Sequence, residues 1–155
     1  MSFAEIHNCV LPSQLYYNVT DDTWLRKNVN GTVTIGITDI GQTLAGTVLH
    51  ATPKQIGVVL KKGDPITLIE SNKWVGPIKS PISGTIIDTN EIILEKADLL
   101  NRSPYNQGWL AVMQPTNLDK EINHLKSGQS AVEAYRAKMD MENLQGCEHC
   151  EGFEV

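Results

Sequence analysis

The chain has 155 residues, a length that suits one domain built around a single substantial core. Its formal net charge is −5, and Lys61-Lys62, set before Gly63-Asp64, reads as a solvated turn rather than a basic patch; the balance argues against nucleic acid and against anionic membrane surfaces as partners. No apolar run approaches the roughly 20 residues needed to span a bilayer, residues 1–7 carry no basic segment followed by an apolar core, and Cys9, Cys147 and Cys150 are too few and too terminal for a disulfide framework, so the reading is a soluble cytoplasmic protein.

Residues 1–14, with Pro12 near their end, read as an irregular N-terminal arm. Thr23 to Lys27 is predicted as a strand, Asn30-Gly31 is a hairpin turn signal, and Thr32 to Ile37 alternates so that Val33, Ile35 and Ile37 share a face. Thr38 or Asp39 then caps a short helix through Leu44, which Gly46 breaks. Strands follow at Thr47 to Ala51 and Ile56 to Leu60, separated by Pro53, and Lys62-Gly63-Asp64-Pro65 turns the chain into a hairpin. Its strands are Ile66 to Ile69 and Val75 to Ile78, and Asn72 is the natural turn former between them.

After Gly84 come Thr85-Ile86-Ile87, a turn at Asp88-Thr89-Asn90, the apolar stretch Ile92-Ile93-Leu94, a short helix at Ala97 to Leu100, and a last strand from Gly108 to Met113, stopped by Pro115. Gly46-Thr47-Val48-Leu49 and Gly84-Thr85-Ile86-Ile87 repeat one Gly-Thr-apolar-apolar step on either side of Lys73. Many short strands punctuated by Gly and Pro indicate a mainly β sandwich or flattened barrel over residues 15–116. Residues 117–145 read as C-terminal helices packed on it. Asn117 caps Leu118 to Leu125; Ser130 caps a second helix to about Leu144, with Val132, Tyr135 and Met139 at helical spacing. Residues 146–155 read as a mobile tail.

The lysine hairpin carries the strongest chemical signal. A lysine at the tip of Glu70-Ser71-Asn72-Lys73-Trp74 is held in water on a stiff platform, where a modifying enzyme can grip it, and Ser80-Pro81 rigidifies the descending strand. Glu-Ser-x-Lys followed by Ser80-Pro81-Ile82-Ser83-Gly84 resembles the lipoyl-attachment hairpin of the glycine cleavage H-protein family. Trp24-Leu25, Gly36-Ile37-Thr38-Asp39 and Pro104-Tyr105-Asn106-Gln107-Gly108-Trp109-Leu110 resemble further blocks of that family in the same order, so the likeness covers roughly residues 15 to 118.

The resemblance implies a lipoyl/biotinyl-type hybrid-motif sandwich with flanking helices, and a carrier that is not itself an enzyme. It places lipoic acid covalently on Lys73, with Glu70, Ser71, Asn72 and Trp74 as the recognition surface of the hairpin. Acylation removes the lysine charge and adds a long tether ending in a dithiolane. That small ring cannot reach the disulfide dihedral of about 90° a relaxed bond prefers, so nucleophiles open it readily. The implied partners are a lipoate ligase or other attachment enzyme and a dihydrolipoamide dehydrogenase-like oxidant. Asn72 and Trp74 flank the lysine where a biotinyl site has methionines, which argues against biotin.

Two positions depart from the family pattern. Trp74 stands where a small residue follows the modified lysine, and Asp22 where a His precedes the first-strand Trp. With the cysteine-bearing tail, they direct the expectation to divergent lipoate-binding proteins that serve a heterodisulfide-reductase-like complex in sulfur oxidation. The alternatives are an aminomethyl-carrying glycine cleavage H protein and an unmodified binding or regulatory module. Trp74 either gives the arm a resting surface and partner selectivity or packs on its own hairpin. Cys147-Glu148-His149-Cys150 is half a zinc site, a redox pair or two incidental thiols, and the expectation is no metal. No nucleophile–base constellation stands out, and Gly36 to Gly41 lacks the glycine spacing of a dinucleotide fingerprint.

Overall fold

The computed structural model describes residues 2–148 and 150–153. Twelve strands are assigned among them: β1 Phe3–Ile6, β2 Cys9–Pro12, β3 Tyr16–Asn18, β4 Thr23–Lys27, β5 Val33–Ile37, β6 Val48–Pro53, β7 Val59–Leu60, β8 Pro65–Ser71, β9 Val75–Lys79, β10 Gly84–Thr89, β11 Ala111–Pro115 and β12 Lys126–Ser127. The helices are α1 Asp39–Ala45, α2 Ile92–Glu95, α3 Leu99–Arg102, α4 Leu118–Glu121 with a following 3₁₀ turn at Ile122–His124, and α5 Gly128–Met141. The strands form a seven-stranded sheet in the order β12-β3-β4-β5-β11-β10-β7, a three-stranded sheet β6-β8-β9 and the hairpin β1-β2. Every pairing is antiparallel. The result is a mainly β, flattened sandwich with flanking helices rather than a closed barrel.

Side chains alternate across a strand, and here the alternation fills two cores. Leu25, Val33, Ile35 and Ile37 of the large sheet meet Val48, Ile66, Ile69 and Ile78 of the small sheet in the first. Tyr17 and Trp24, on the opposite face, pack with Leu11, Ile40, Tyr105, Tyr135 and Met139 in the second. All five residues of β5 are therefore buried, although only three are large and apolar. Gly36 is the residue that lets the Trp24 indole lie flat on β5, since a Cβ there would meet the ring at 2.4 Å. The indole N–H donates to the Pro104 carbonyl at 3.0 Å.

The repeated Gly-Thr-apolar-apolar steps are equivalent in structure. Each enters a strand, one in each sheet, and each pairing slips at its fourth residue: Val48 pairs Ser71 and His50 pairs Glu70, while Ile86 pairs Met113 and Asp88 pairs Val112. The extra residues, Leu49 and Ile87, are exposed bulges.

Several expectations need correction. Residues 1–14 are not an irregular arm: β1 and β2 form a hairpin whose turn places His7 and Asn8 at φ 49° and 69°, with Cys9, Val10, Leu11 and Pro12 all buried. Short, irregularly spaced apolar residues hid that strand pair. The tail is not loose over its described residues, and the cysteines are not without a disulfide: Cys147 is bonded to Cys9, Cys150 is a buried free thiol, and Phe153 stacks edge-on against Phe3 at 4.8 Å. His149 lies outside the described residues. The strand expected at Ile56 to Leu60 shrinks to β7, and the last long strand starts at Ala111 rather than Gly108. Asn117 makes no side-chain cap; α5 begins after Ser127, and the Ser130 hydroxyl instead donates to the Ser127 carbonyl. Its buried stripe is Ala131, Tyr135 and Met139, with Val132 only half-buried.

The disulfide closes 138 residues of chain, so in the chain-entropy picture cleaving it costs about 2–5 kcal/mol of stability. Denaturant unfolding of oxidised protein and of a Cys9→Ser variant is expected to differ by that amount; equal midpoints would contradict it.

Candidate functional site

The lysine hairpin joins β8 to β9, and Glu70 pairs Val75 as the last pair before its turn. The Ser71 N–H donates to the Trp74 carbonyl at 2.7 Å, closing the turn. The Ser71 side chain is buried and works on both sides of the tip: its hydroxyl donates to the Trp74 carbonyl at 3.2 Å and accepts from the Lys73 N–H at 3.3 Å. Asn72, Lys73 and Trp74 are exposed. Glu70 is exposed too, with one carboxylate oxygen 4.0 Å from His50 on the neighbouring strand. Ser71, Asn72, Lys73 and Trp74 thus form one tight turn, with Glu70 at its rim.

The turn rests on a platform that the sequence did not announce. The Asn72 N–H donates to the Thr47 carbonyl at 3.0 Å. Gly46 has φ +85°, and a Cβ on it would stand 2.5 Å from Asn72 Oδ1 and 2.9 Å from Lys73 Cε. Glycine is required there both for the left-handed backbone and for the space the lysine stem occupies. Asn101 fixes this platform. Its amide nitrogen donates to the Gly46 carbonyl at 2.8 Å and to Gln42 Oε1 at 2.9 Å, while its oxygen accepts the Val48 N–H at 2.8 Å. Helix α1 leads into the platform. The Thr38 hydroxyl accepts the Gly41 N–H at 3.0 Å as its cap, and the Gly46 N–H closes the other end on the Gln42 carbonyl.

Beside Lys73 runs a groove of about 510 Å³. Ile37, Leu44, Ala45, Ile69, Pro77 and Ile78 make its walls, Lys73 and Trp74 one rim, and Asp21 and Asp22 its polar end. Trp74 packs on its own hairpin, one of the two roles the sequence left open, and also keeps an exposed face. Its ring lies over Gly76, where a Cβ would meet it at 2.4 Å, yet the residue remains 44% exposed at the mouth of the groove. Asp22 is tied to α5: its carboxylate accepts from Lys138 Nζ at 2.9 Å and from the Tyr135 hydroxyl at 3.0 Å. Burial raises its carboxyl above the ordinary 3.8, opposed by the lysine and the tyrosine, which favour the ionised form.

Gly46, Gly76 and Asn101 escaped sequence reasoning. The only local sign was Gly46 as a helix breaker. Asn101 lies 53 residues from the Val48 amide it accepts, a separation no local pattern spans.

Two outcomes follow from this geometry. Asn101→Ala removes its side-chain bonds to the platform and is expected to cost about 1–3 kcal/mol, with faster hydrogen exchange at the Asn72 amide; unchanged exchange there would contradict the platform. A carboxyl raised by folding holds its proton more tightly in the native chain than in the unfolded one. The stability it contributes is therefore present below the ordinary 3.8 and declines as pH rises through the raised value. Urea unfolding at a series of pH values starting below 3.8 is expected to show that decline in the wild type and to lose it in Asp22→Asn; a pH-independent difference between the two would contradict the assignment.

The sequence profile of the glycine cleavage H-protein family matches residues 15–138. Glycine cleavage system H protein 2 of Aquifex aeolicus is 39% identical over 140 residues, covering 90% of this chain and 87% of that protein. A probable glycine cleavage system H protein 2 of Sulfolobus acidocaldarius is 34% identical over 139 residues, covering 88% and 93%. In fold, the chain superposes on the crystal structure of a glycine cleavage system H protein from Mycobacterium marinum with TM-score 0.70 at 24% identity, over 86% of this chain and 100% of that one. Cys9, Cys147 and Cys150 all fall outside the matched segment.

Proposed function

The chain belongs to the glycine cleavage H-protein family, whose members carry lipoic acid covalently on a lysine and are not catalysts, and on that premise we propose that it is a lipoyl carrier with its arm on Lys73. One observation carries the reading: the Lys73 side chain stands exposed on a tight turn, over a glycine platform, at the mouth of an apolar groove. These residues fit the group. A stem laid over Gly46 is held at its base and free at its amine, and the adjoining groove offers apolar walls to a hydrocarbon tether.

When bound, the lipoyl group supplies a disulfide that a nucleophile opens and an oxidant recloses. The chain's own residues do the remaining work. Ser71 holds the turn, Gly46 and Asn101 set the height of the lysine stem, and Trp74 narrows the groove mouth. Glu70, Asn72 and Trp74 present the exposed surface that an attachment enzyme reads. Lipoate ligase, or another attachment enzyme, and a dihydrolipoamide dehydrogenase-like oxidant are the partners this chemistry requires, in a cytoplasmic setting.

For cargo, we take the aminomethyl group as first reading, because the relatives bear the name of the glycine cleavage system. The second reading is sulfur, delivered to a heterodisulfide-reductase-like complex. Trp74 beside the arm and Asp22 at the family's histidine position favour it.

Lipoate ligase and lipoate are expected to label the wild type and Lys79→Arg but not Lys73→Arg; a labelled Lys73→Arg chain would contradict the attachment site. With the labelled protein, glycine and glycine decarboxylase are expected to add an aminomethyl mass to the arm. A thiosulfate-dependent sulfur adduct with no aminomethyl adduct would overturn the first reading in favour of the second.

A further inference from the structure

The fold gathers one cluster for which the carrier reading has no use. Cys9 opens β2 just after the left-handed turn at His7 and Asn8. Asp39 opens α1. Cys147 and Cys150 reach both from the tail at Cys-x-x-Cys spacing. The sulfurs of Cys9 and Cys147 and a carboxylate oxygen of Asp39 lie within 4.8 Å of one another, and the Cys150 side chain hydrogen-bonds the Asp39 side chain. Cys9 and Asp39 are 0% exposed, Cys150 1% and Cys147 7%.

We propose that Cys9, Cys147, Cys150 and Asp39 form a four-coordinate site for a thiophilic divalent cation such as zinc, and that the Cys9–Cys147 disulfide is the oxidised, metal-free state of the same cluster. Thiolate sulfur and carboxylate oxygen are both zinc donors, four of them meet the coordination number of a closed site, and Cys-x-x-Cys is a spacing at which two thiolates share one ion. Zinc–sulfur bonds of about 2.3 Å set neighbouring donors roughly 4 Å apart, so on reduction the Cys9 and Cys147 sulfurs, bonded in the oxidised chain, would move apart around the ion beside the Asp39 carboxylate, with the Cys150 thiol joining from its hydrogen bond to Asp39. The outer contacts are in place as well. The Val10 N–H donates to Asp39 Oδ2 at 2.9 Å and Gln42 Nε2 donates to Oδ1 at 2.8 Å, which orients the carboxylate.

The exchange balances. A dithiol reductant supplies two electrons and two protons to the disulfide, giving the Cys9 and Cys147 thiols and itself becoming a disulfide. On metal entry these two thiols and that of Cys150 each release a proton, and the cation takes three sulfur bonds and one oxygen bond. Ligation in place of the disulfide would keep the N-terminal hairpin, the start of α1 and the tail joined in a compartment where thiols stay reduced. The tail is also held by the Cys147 N–H on the His7 carbonyl and the Glu151 N–H on the Arg102 carbonyl, so the donors stay gathered after reduction.

The test uses the full chain, reduced by a phosphine without oxygen and titrated with cobalt(II), then zinc(II). The expected result is one cobalt per chain, with sulfur-to-cobalt charge transfer and the strong visible bands of a tetrahedral thiolate site, release of about three protons per ion, and displacement by zinc. The oxidised chain is expected to take up none, and Cys150→Ala, still folded by circular dichroism, to bind at least tenfold more weakly. Reduced wild-type protein that takes up no stoichiometric metal would overturn the proposal, as would an unchanged cobalt spectrum and affinity in Cys150→Ala. Should that variant not fold, proton release from the wild type decides: about three supports the site, and one or none refutes it.

Discussion

Asp39 and Asn101 hold opposite ends of one seven-residue helix, and the rest of the molecule is arranged around that constraint. At the N-terminal end the Asp39 carboxylate accepts from Val10 and Gln42, and its N–H donates to the Tyr105 hydroxyl at 2.8 Å. That hydroxyl donates in turn to the Val10 carbonyl, so strand β2, helix α1 and the loop before β11 are locked at one buried point. At the C-terminal end Asn101 ties the Gly46 carbonyl and the Val48 N–H. A helix this short has little stability of its own; its rigidity comes from these side-chain bonds and from burial of Ile40 and Ala45 in the two cores. The lysine turn inherits its position from that rigidity through Gly46 and Thr47.

The same helix divides the chemistry of the molecule. Its last turn and the loop after it face Lys73 and the apolar groove, and its first residue meets the cysteines. Burial pushes the Cys150 thiol up to about 12, which keeps it an inert thiol while no cation is present, and both bonded cysteines are buried as well. The cysteines are therefore poorly placed to trade with a disulfide carried on Lys73, and the tail acts on the fold rather than on the arm.

Much of the candidate attachment site was legible because it is local. Ser71, Asn72, Lys73 and Trp74 are consecutive, and a turn between two β-prone runs places them without help from elsewhere. The motif blocks at Trp24, Gly36 to Asp39 and Tyr105 were legible as patterns but not as a mechanism. In structure they meet: Trp24 lies on Gly36, Thr38 caps α1, and Tyr105 bonds Asp39. What escaped was long-range. Asn101 to Val48, Lys138 to Asp22 and Cys9 to Cys147 join residues separated by 53, 116 and 138 positions. The N-terminal hairpin escaped for a different reason. All four residues of β2 are buried, whereas on β1 only Ile6 is fully buried and Phe3 is exposed, so the sequence lacks the period-two signature of a half-buried strand.

The central claim is that Lys73 carries the arm. Its most direct test is the intact mass of the protein purified from its own host, with peptide mapping across residues 62–79. The account predicts one lipoyl group per chain, on Lys73, with the peptides bearing Lys61, Lys62 and Lys79 unmodified. A chain of unmodified mass, from cells that lipoylate their other carriers, would contradict it.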